Sequence, residues 1–181
     1  MHNLKTNFDK ILSVCKQYGK EFTNERGNIP RCGVVPKFSD LEVIAQSLTA
    51  EALSIDSENT LFIKLNVDYK DDFSNLISRR QYNDRRKYLY DLTNKIRLKP
   101  AQYIDQYEDI FAVDSKPVEV CRLARSKRNK VGKDFYEQAP SYGFCASQNR
   151  YYYGYKLHTV CSINGVIHAF DLTKASVHDI H

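Results

Sequence analysis

The chain has 181 residues, five cysteines, one methionine, no tryptophan and a formal net charge of +5. This length admits one domain or two small ones and can bury a core without disulfide staples. Hydrophobic residues at 42% and charged residues at 27% exclude a disordered tail. No apolar run approaches the roughly 20 residues of a bilayer span, and HNLKTNFDK at the start lacks the apolar stretch of a signal peptide. A cytoplasmic protein with no membrane partner is expected.

Residues 4–20 place Leu4, Phe8, Ile11, Leu12 and Cys15 at helical spacing. Gly27, Pro30, Gly33 and Pro36 then break the chain between Asn24 and Pro36. Ser39 and Glu42 form an S-x-x-E box, the pattern in which two side chains satisfy unpaired amides of a first helical turn. Leu41, Ile44, Ala45, Leu48, Ala52 and Leu53 should follow on one face. Asp56-Ser57-Glu58 ends that helix and starts another through Leu61, Phe62 and Leu65.

After Asp68–Asp72 comes the first of two basic islands. Residues 79–100 hold eight Lys and Arg against two acids, whereas residues 1–78 hold nine against eleven. Tyr82, Leu89, Leu92 and Ile96 keep rough helical spacing here, and Pro100 is expected to close the helix. A helix pair in this region could serve as a DNA-binding helix-turn-helix or as a plain bundle. The second island, 116–133, holds seven bases and the single acid Glu119. Two such islands, the first interleaved with Tyr82, Tyr88 and Tyr90, favour a polyanion-binding surface over a merely solvated face. Candidate phosphate contacts are Arg79, Arg80, Arg85, Arg86, Lys87, Lys116, Arg122, Arg125, Lys127, Arg128 and Lys130.

The texture changes after Pro100. Ile110-Phe111-Ala112-Val113 is a short apolar strand expected to end in Asp114, with Val118, Val120 and Cys121 continuing it past Lys116-Pro117. Residues 122–150 read as an irregular loop. YYYGYKLHTVCSI and VIHAFDLT, joined at Asn164-Gly165, predict a β-hairpin, since Asn-Gly supplies the left-handed residues of a two-residue turn. His158 and His168 would face each other across it only if the register is symmetric about Asn164-Gly165, as sheet histidines rather than metal ligands. The five cysteines, separated by 17, 89, 24 and 16 positions, contain no C-x-x-C pair and are expected to be buried free thiols. The whole is α+β: helices, then three strands. An acid leaving a strand at its carboxyl end suits metal or phosphate chemistry, though a turn or cap residue looks the same.

The segments FAVDSKPVEVCRLARSKRNKVGKDFYEQAPSYGF and YYYGYKLHTVCSINGVIHAFDLTKASVHD resemble the catalytic core of bacterial insertion-sequence transposases of the DDE superfamily. The apolar strand with Asp-Ser at 110–115 is similar to that family's first catalytic strand. Gly-Tyr-Lys-Leu-His at 154–158 and the His-Asp at 178–179 resemble its second and third strands and their exit. FSDLEVIAQSLTAEAL and SRRQYNDRRKYL are similar to its helical amino-terminal region. The resemblance implies a helical, DNA-binding region over 1–100 and a ribonuclease-H-like core over 101–181. It implies Asp114 as the first of three acids holding Mg²⁺, both catalytic residue and metal ligand, because two ions together serve nucleophile and leaving group. Element-end DNA would be the substrate, with a second copy or a full-length transposase as protein partner.

The chain departs from the pattern in its acids. Asp179 matches a non-catalytic position and Asp171 is expected on the sheet surface, so the second and third acids have no counterpart here. The expectation is an amino-terminal fragment, truncated after its third strand and catalytically incomplete. Two alternatives stand beside it: a non-enzymatic DNA-binding remnant, and a helical interaction protein with basic surface patches.

Overall fold

The computed structural model describes residues 3–177. The chain divides into two compact units, Met1–Pro100 and Ala101–His181. It is α+β, with helices followed by a small antiparallel sheet.

The helices of the first unit start where short polar side chains can cap them. Asn3 accepts from the Lys5 amide at 2.9 Å and opens α1, Leu4–Gly19. Ser39 and Glu42 form the expected reciprocal capping box at the head of α2, Asp40–Ala52. Ser57 caps α3, Glu58–Asp68. Ser78 and Gln81 make a second capping box at α4, Arg79–Tyr88. The helical spacing through the basic island is realised as two helices, separated at Leu89, with α5 spanning Tyr90–Ile104. Pro100 does not close α5 but lies inside it. Proline removes one helical hydrogen bond, and here the helix continues for four more residues.

α2 is the centre of this unit, with α1 and α4 packed on it and α3 on α4. Leu41, Val43, Ile44, Ala45 and Ala50 are buried, whereas Leu48 and Ala52, expected on the core face, are exposed. Leu4, Phe8, Cys15, Phe38, Leu61, Phe62, Leu65, Phe73, Tyr82, Leu89, Leu92 and Ile96 complete the core. Tyr82 is thus a core residue packed edge-on to Phe62 at 5.3 Å, not part of an aromatic-basic surface.

One carboxylate ties these parts together. Asp40, with a side chain 0% exposed, accepts from the Ile29 amide at 2.9 Å, from Arg31, and from Arg85 Nη2 at 2.6 Å. Arg85 also donates to the Phe38 carbonyl at 2.7 Å. The 24–36 loop, the start of α2 and α4 therefore meet on a single side chain. Burial by itself would raise the Asp40 pKa, but hydrogen bonds from Arg85, Arg31 and Ile29 outweigh it and hold the pKa below the usual carboxylate value.

In the second unit β1 is Phe111–Cys121, β2 Ser141–Cys145, β3 Arg150–Ser162 and β4 Ile167–Lys174. The stretch read as an irregular loop holds β2 and a 3-10 helix, Leu123–Arg128, so the sheet has four strands rather than three. All pairing is to β3 and antiparallel. β1 runs along one side; β4 and then β2 share the other, meeting where Tyr155 faces Lys174 and Gly154 faces Ser141.

The hairpin turn differs from the two-residue form. Gly165 N donates to Ser162 O at 2.9 Å, Ser162 N donates to Val166 O at 3.0 Å, and only Gly165 of the pair has positive φ, +78°. This is a three-residue loop closed by a left-handed glycine. Of the cysteines, Cys15 alone is buried, and burial pushes its thiol up to about 11. Cys32 is exposed and Cys121, Cys145 and Cys161 are half-buried; all are free thiols, but the expectation of burial holds only for Cys15.

Removing the Asp40 carboxylate leaves the largely covered Arg85 charged and without an acidic partner. Asp40→Ala is expected to lower the unfolding free energy of the first unit by about 3–5 kcal/mol, measured by urea denaturation. Because the folded-state pKa is depressed, the stabilisation is complete above the ordinary carboxylate range and is lost as pH falls through the lowered value. The variant's stability should accordingly vary less with pH at the acid end.

Candidate functional site

Asp114 does not end its strand. It is the fourth residue of an eleven-residue β1 and lies opposite Thr159, exposed, with one carboxylate oxygen accepting from the Ser115 amide at 2.8 Å. Lys116 and Pro117 do not interrupt β1 because the ladder continues through their pairs with Leu157 and Lys156. Proline is tolerated on a strand paired along one side only.

Strand alternation decides what Asp114 can share a site with. Directly opposed residues lie on the same face and neighbours on opposite faces. Asp114 shares its face with Thr159 and Phe170, and with Ala112, Lys116, Leu157, Cys161 and Leu172. Asp171 is opposite His158, which is opposite Ser115, so it lies on the other face. The registered positions of β1, β3 and β4 place no second carboxylate beside Asp114. Among the described residues no cluster of three or more His, Cys, Asp and Glu could hold a metal ion. One carboxylate between an alanine and a lysine does not fit a two-metal centre. Asp179 lies outside the described residues.

The basic candidates divide by their partners. Arg85, only 16% exposed, belongs to the Asp40 cluster in the core of its unit. Arg86 pairs with Glu58 at 3.1 Å, which also accepts from Asn83, joining α3 to α4. Arg79, Arg80 and Lys87 are exposed and make no ion pair among the described residues. In the second unit, Lys116 is exposed on the Asp114 face. Arg122, Arg125, Lys127, Arg128 and Lys130 are exposed in and around the 3-10 helix. That helix is fixed by the one buried side chain in it, Ser126, bonded to the Tyr142 hydroxyl at 2.6 Å.

His158 and His168 do not pair. The β3–β4 register shifts after Val160, leaving His168 as the extra residue of a bulge, and His158 faces Asp171 and bonds the Thr173 hydroxyl at 2.8 Å. His168 bonds Asp105 at 2.6 Å instead, with Phe111 edge-on at 5.1 Å. Asp105 also accepts from Asn164 at 2.9 Å. The hairpin tip is thereby fastened to the segment just before β1. The sequence reading missed Asp105; its only local signal was an acid soon after a helix, which is common. Hydrogen bonds from Asn164 and then His168 lower its pKa.

Residues 105–181 match the family model described as Transposase DDE domain. That match supports a transposase of the DDE superfamily. It falls on the unit that carries the sheet and Asp114, a little over two-fifths of the chain. No curated protein and no solved structure matches the chain. DDE transposases act on DNA and generally use divalent metal ions. No helix among the described residues is long and apolar enough to cross a membrane.

The anchor at Asp105 has a measurable consequence. Its lowered pKa keeps the carboxylate ionised throughout the neutral range, and the anchor weakens only as pH falls through that lowered value. Asp105→Ala should therefore accelerate amide hydrogen exchange at Gly165, Val166 and His168 at neutral pH, while amides in the middle of β3 are little changed.

Proposed function

We propose that this chain is the DNA-engaging part of an insertion-sequence transposase acting at element ends, and that it is catalytically incomplete by itself. The isolation of Asp114 on its face of the sheet supports this most directly. Phosphoryl transfer by two metals needs several carboxylates converging on one point, and the nearest strand acid, Asp171, is turned the other way. In this reading Asp114 contributes one ligand to a ribonuclease-H-like centre whose remaining acids come from another polypeptide segment or a partner chain. Mg²⁺ would be held only in that completed centre. Arg79, Arg80 and Lys87 on α4, with Lys116 and the basic side chains of 122–130, supply phosphate contacts. Arg85 is left out because its charge is spent inside the protein.

Uncovered apolar surface also supports incompleteness. Phe111 and Val113 on one face, and Leu172 on the other, are between 42% and 74% exposed. An antiparallel sheet usually buries at least one face against another layer. Here both faces carry apolar side chains that further structure could cover.

Duplex binding should be strongly salt-dependent, with log K falling by about 0.9 per phosphate contact for each unit of log salt. Arg79→Gln with Arg80→Gln should reduce that slope by about 2, and Asp114→Asn should leave binding unchanged. The purified chain with labelled element-end DNA and Mg²⁺ should show binding without nicking or joining. Nicking that disappears in Asp114→Asn would reject catalytic incompleteness, and absence of DNA binding at low salt would reject the DNA-engaging role.

A further inference from the structure

β2 pairs with the beginning of β3 so that Tyr142 lies opposite Tyr153 and Phe144 opposite Tyr151. Alternation puts these four rings on one face. The extra residues at the two register shifts, Val120 and His168, fall on β1 and β4, so β3 alternates without interruption from Tyr151 to Thr159. The ring face is therefore the Asp114 face. From Tyr153 to Thr159, opposite Asp114, the strand covers about 20 Å at roughly 3.4 Å per residue.

The rings form two tilted pairs, with centroids 5.1 Å apart for Tyr142–Tyr153 and 5.0 Å for Phe144–Tyr151. Tyr153 is buried beneath the group, whereas Tyr142, Phe144 and Tyr151 are 52%, 48% and 68% exposed. Beside them stands the 3-10 helix, held by the bond from Ser126 to the Tyr142 hydroxyl. In such a helix, side chains three residues apart eclipse. The edge of Ser126 is turned to the sheet, Arg125 and Arg128 fall together on a different edge, and Arg122 directly precedes the helix as its N-cap. All three are exposed, and none makes an ion pair among the described residues.

Charge alone would suit duplex phosphates. Half-exposed rings beside a row of arginines suit something further, because a duplex keeps its bases stacked on each other while a single strand offers their faces to aromatic side chains. We propose that this face of the second unit is a binding site for single-stranded DNA. Bases stack on Tyr142, Phe144 and Tyr151, and phosphates run along Arg122, Arg125 and Arg128. The inference rests on the DNA reading above and adds the form of DNA recognised: unpaired nucleotides, on the face that carries Asp114.

The test is fluorescence anisotropy of the whole chain with a labelled mixed-sequence single strand and with its duplex, across a salt series. Phe144→Ala with Tyr151→Ala should weaken single-strand binding by about tenfold or more while duplex binding changes by less than about twofold. Phe144→Tyr with Tyr151→Phe keeps both rings and should keep single-strand binding, which separates lost stacking from a damaged fold. Arg125→Gln with Arg128→Gln should reduce the single-strand salt slope by about 1.4. An unchanged single-strand affinity in the alanine variant overturns the proposal, as does equal loss for both DNA forms. A shift of that variant from dimer to monomer in sedimentation, with affinity intact, overturns it in favour of a second copy covering the rings. If the unaltered chain binds duplex but no single strand, this inference alone fails. If it binds neither, the DNA reading fails with it.

Discussion

The second unit depends on the register of β3. This strand is paired along both sides, and every other strand is positioned through it. Because side chains alternate, a slip of one residue against β1 would carry Asp114 to the opposite face and change all of its neighbours. Two glycines hold the register. At Gly154 any Cβ would collide with the Val118 carbonyl, where β1 bulges between Glu119 and Cys121, so only glycine fits at that position. At Gly165 the left-handed backbone closes the loop to β4. The Asp105 cluster then fastens the tip of the hairpin, with the bulged His168 as one of its bonds. The proposed single-strand site rests on this one arrangement. It sets the aromatic pairs, the 3-10 helix beneath its arginines, and Asp114 on a common surface.

The first unit is organised by a different force. A buried charge is costly unless paired and hydrogen-bonded. Asp40 meets that requirement through two arginines and a backbone amide, and so commits the 24–36 loop, the start of α2 and α4 to one geometry. This divides residues that look alike. Arg85 and Arg86 are neighbours in the same basic island, yet one is bound to the buried Asp40 and the other is a half-exposed partner of Glu58. A charge count over residues 79–100 therefore overstates what α4 can present to a phosphate backbone. Arg79, Arg80 and Lys87 remain on the outside and carry that role in the proposed function.

Signals confined to one turn or one strand were legible without the fold. The capping box at Ser39 and the core spacing of α1 and α3 formed as their local chemistry requires, and the hairpin at Asn164-Gly165 formed with a three-residue instead of a two-residue loop. The resemblance of the Asp114 strand and the hairpin to DDE transposases agrees with the family match over residues 105–181. β2 was not legible. Ser-Tyr-Gly-Phe-Cys is short, contains a glycine, and becomes a strand only because β3 offers it an edge. The aromatic surface went unseen for the same reason, since half of it belongs to β2. Pro100 was read as a helix end because proline usually is one.

What the sequence determined by itself is the passage from helices to strands, the capped starts of α2 and α3, a hairpin at Asn164-Gly165, the two basic islands and the transposase resemblance. Each of these rests on residues within a few positions of one another. The tertiary structure alone decided which face Asp114 occupies, that Asp171 is on the opposite one, that Arg85 is spent on Asp40, and that His168 turns to Asp105 rather than His158. Those outcomes join residues some 40 to 60 positions apart. They are set by strand register and by pairing of buried charge, which no local spacing encodes.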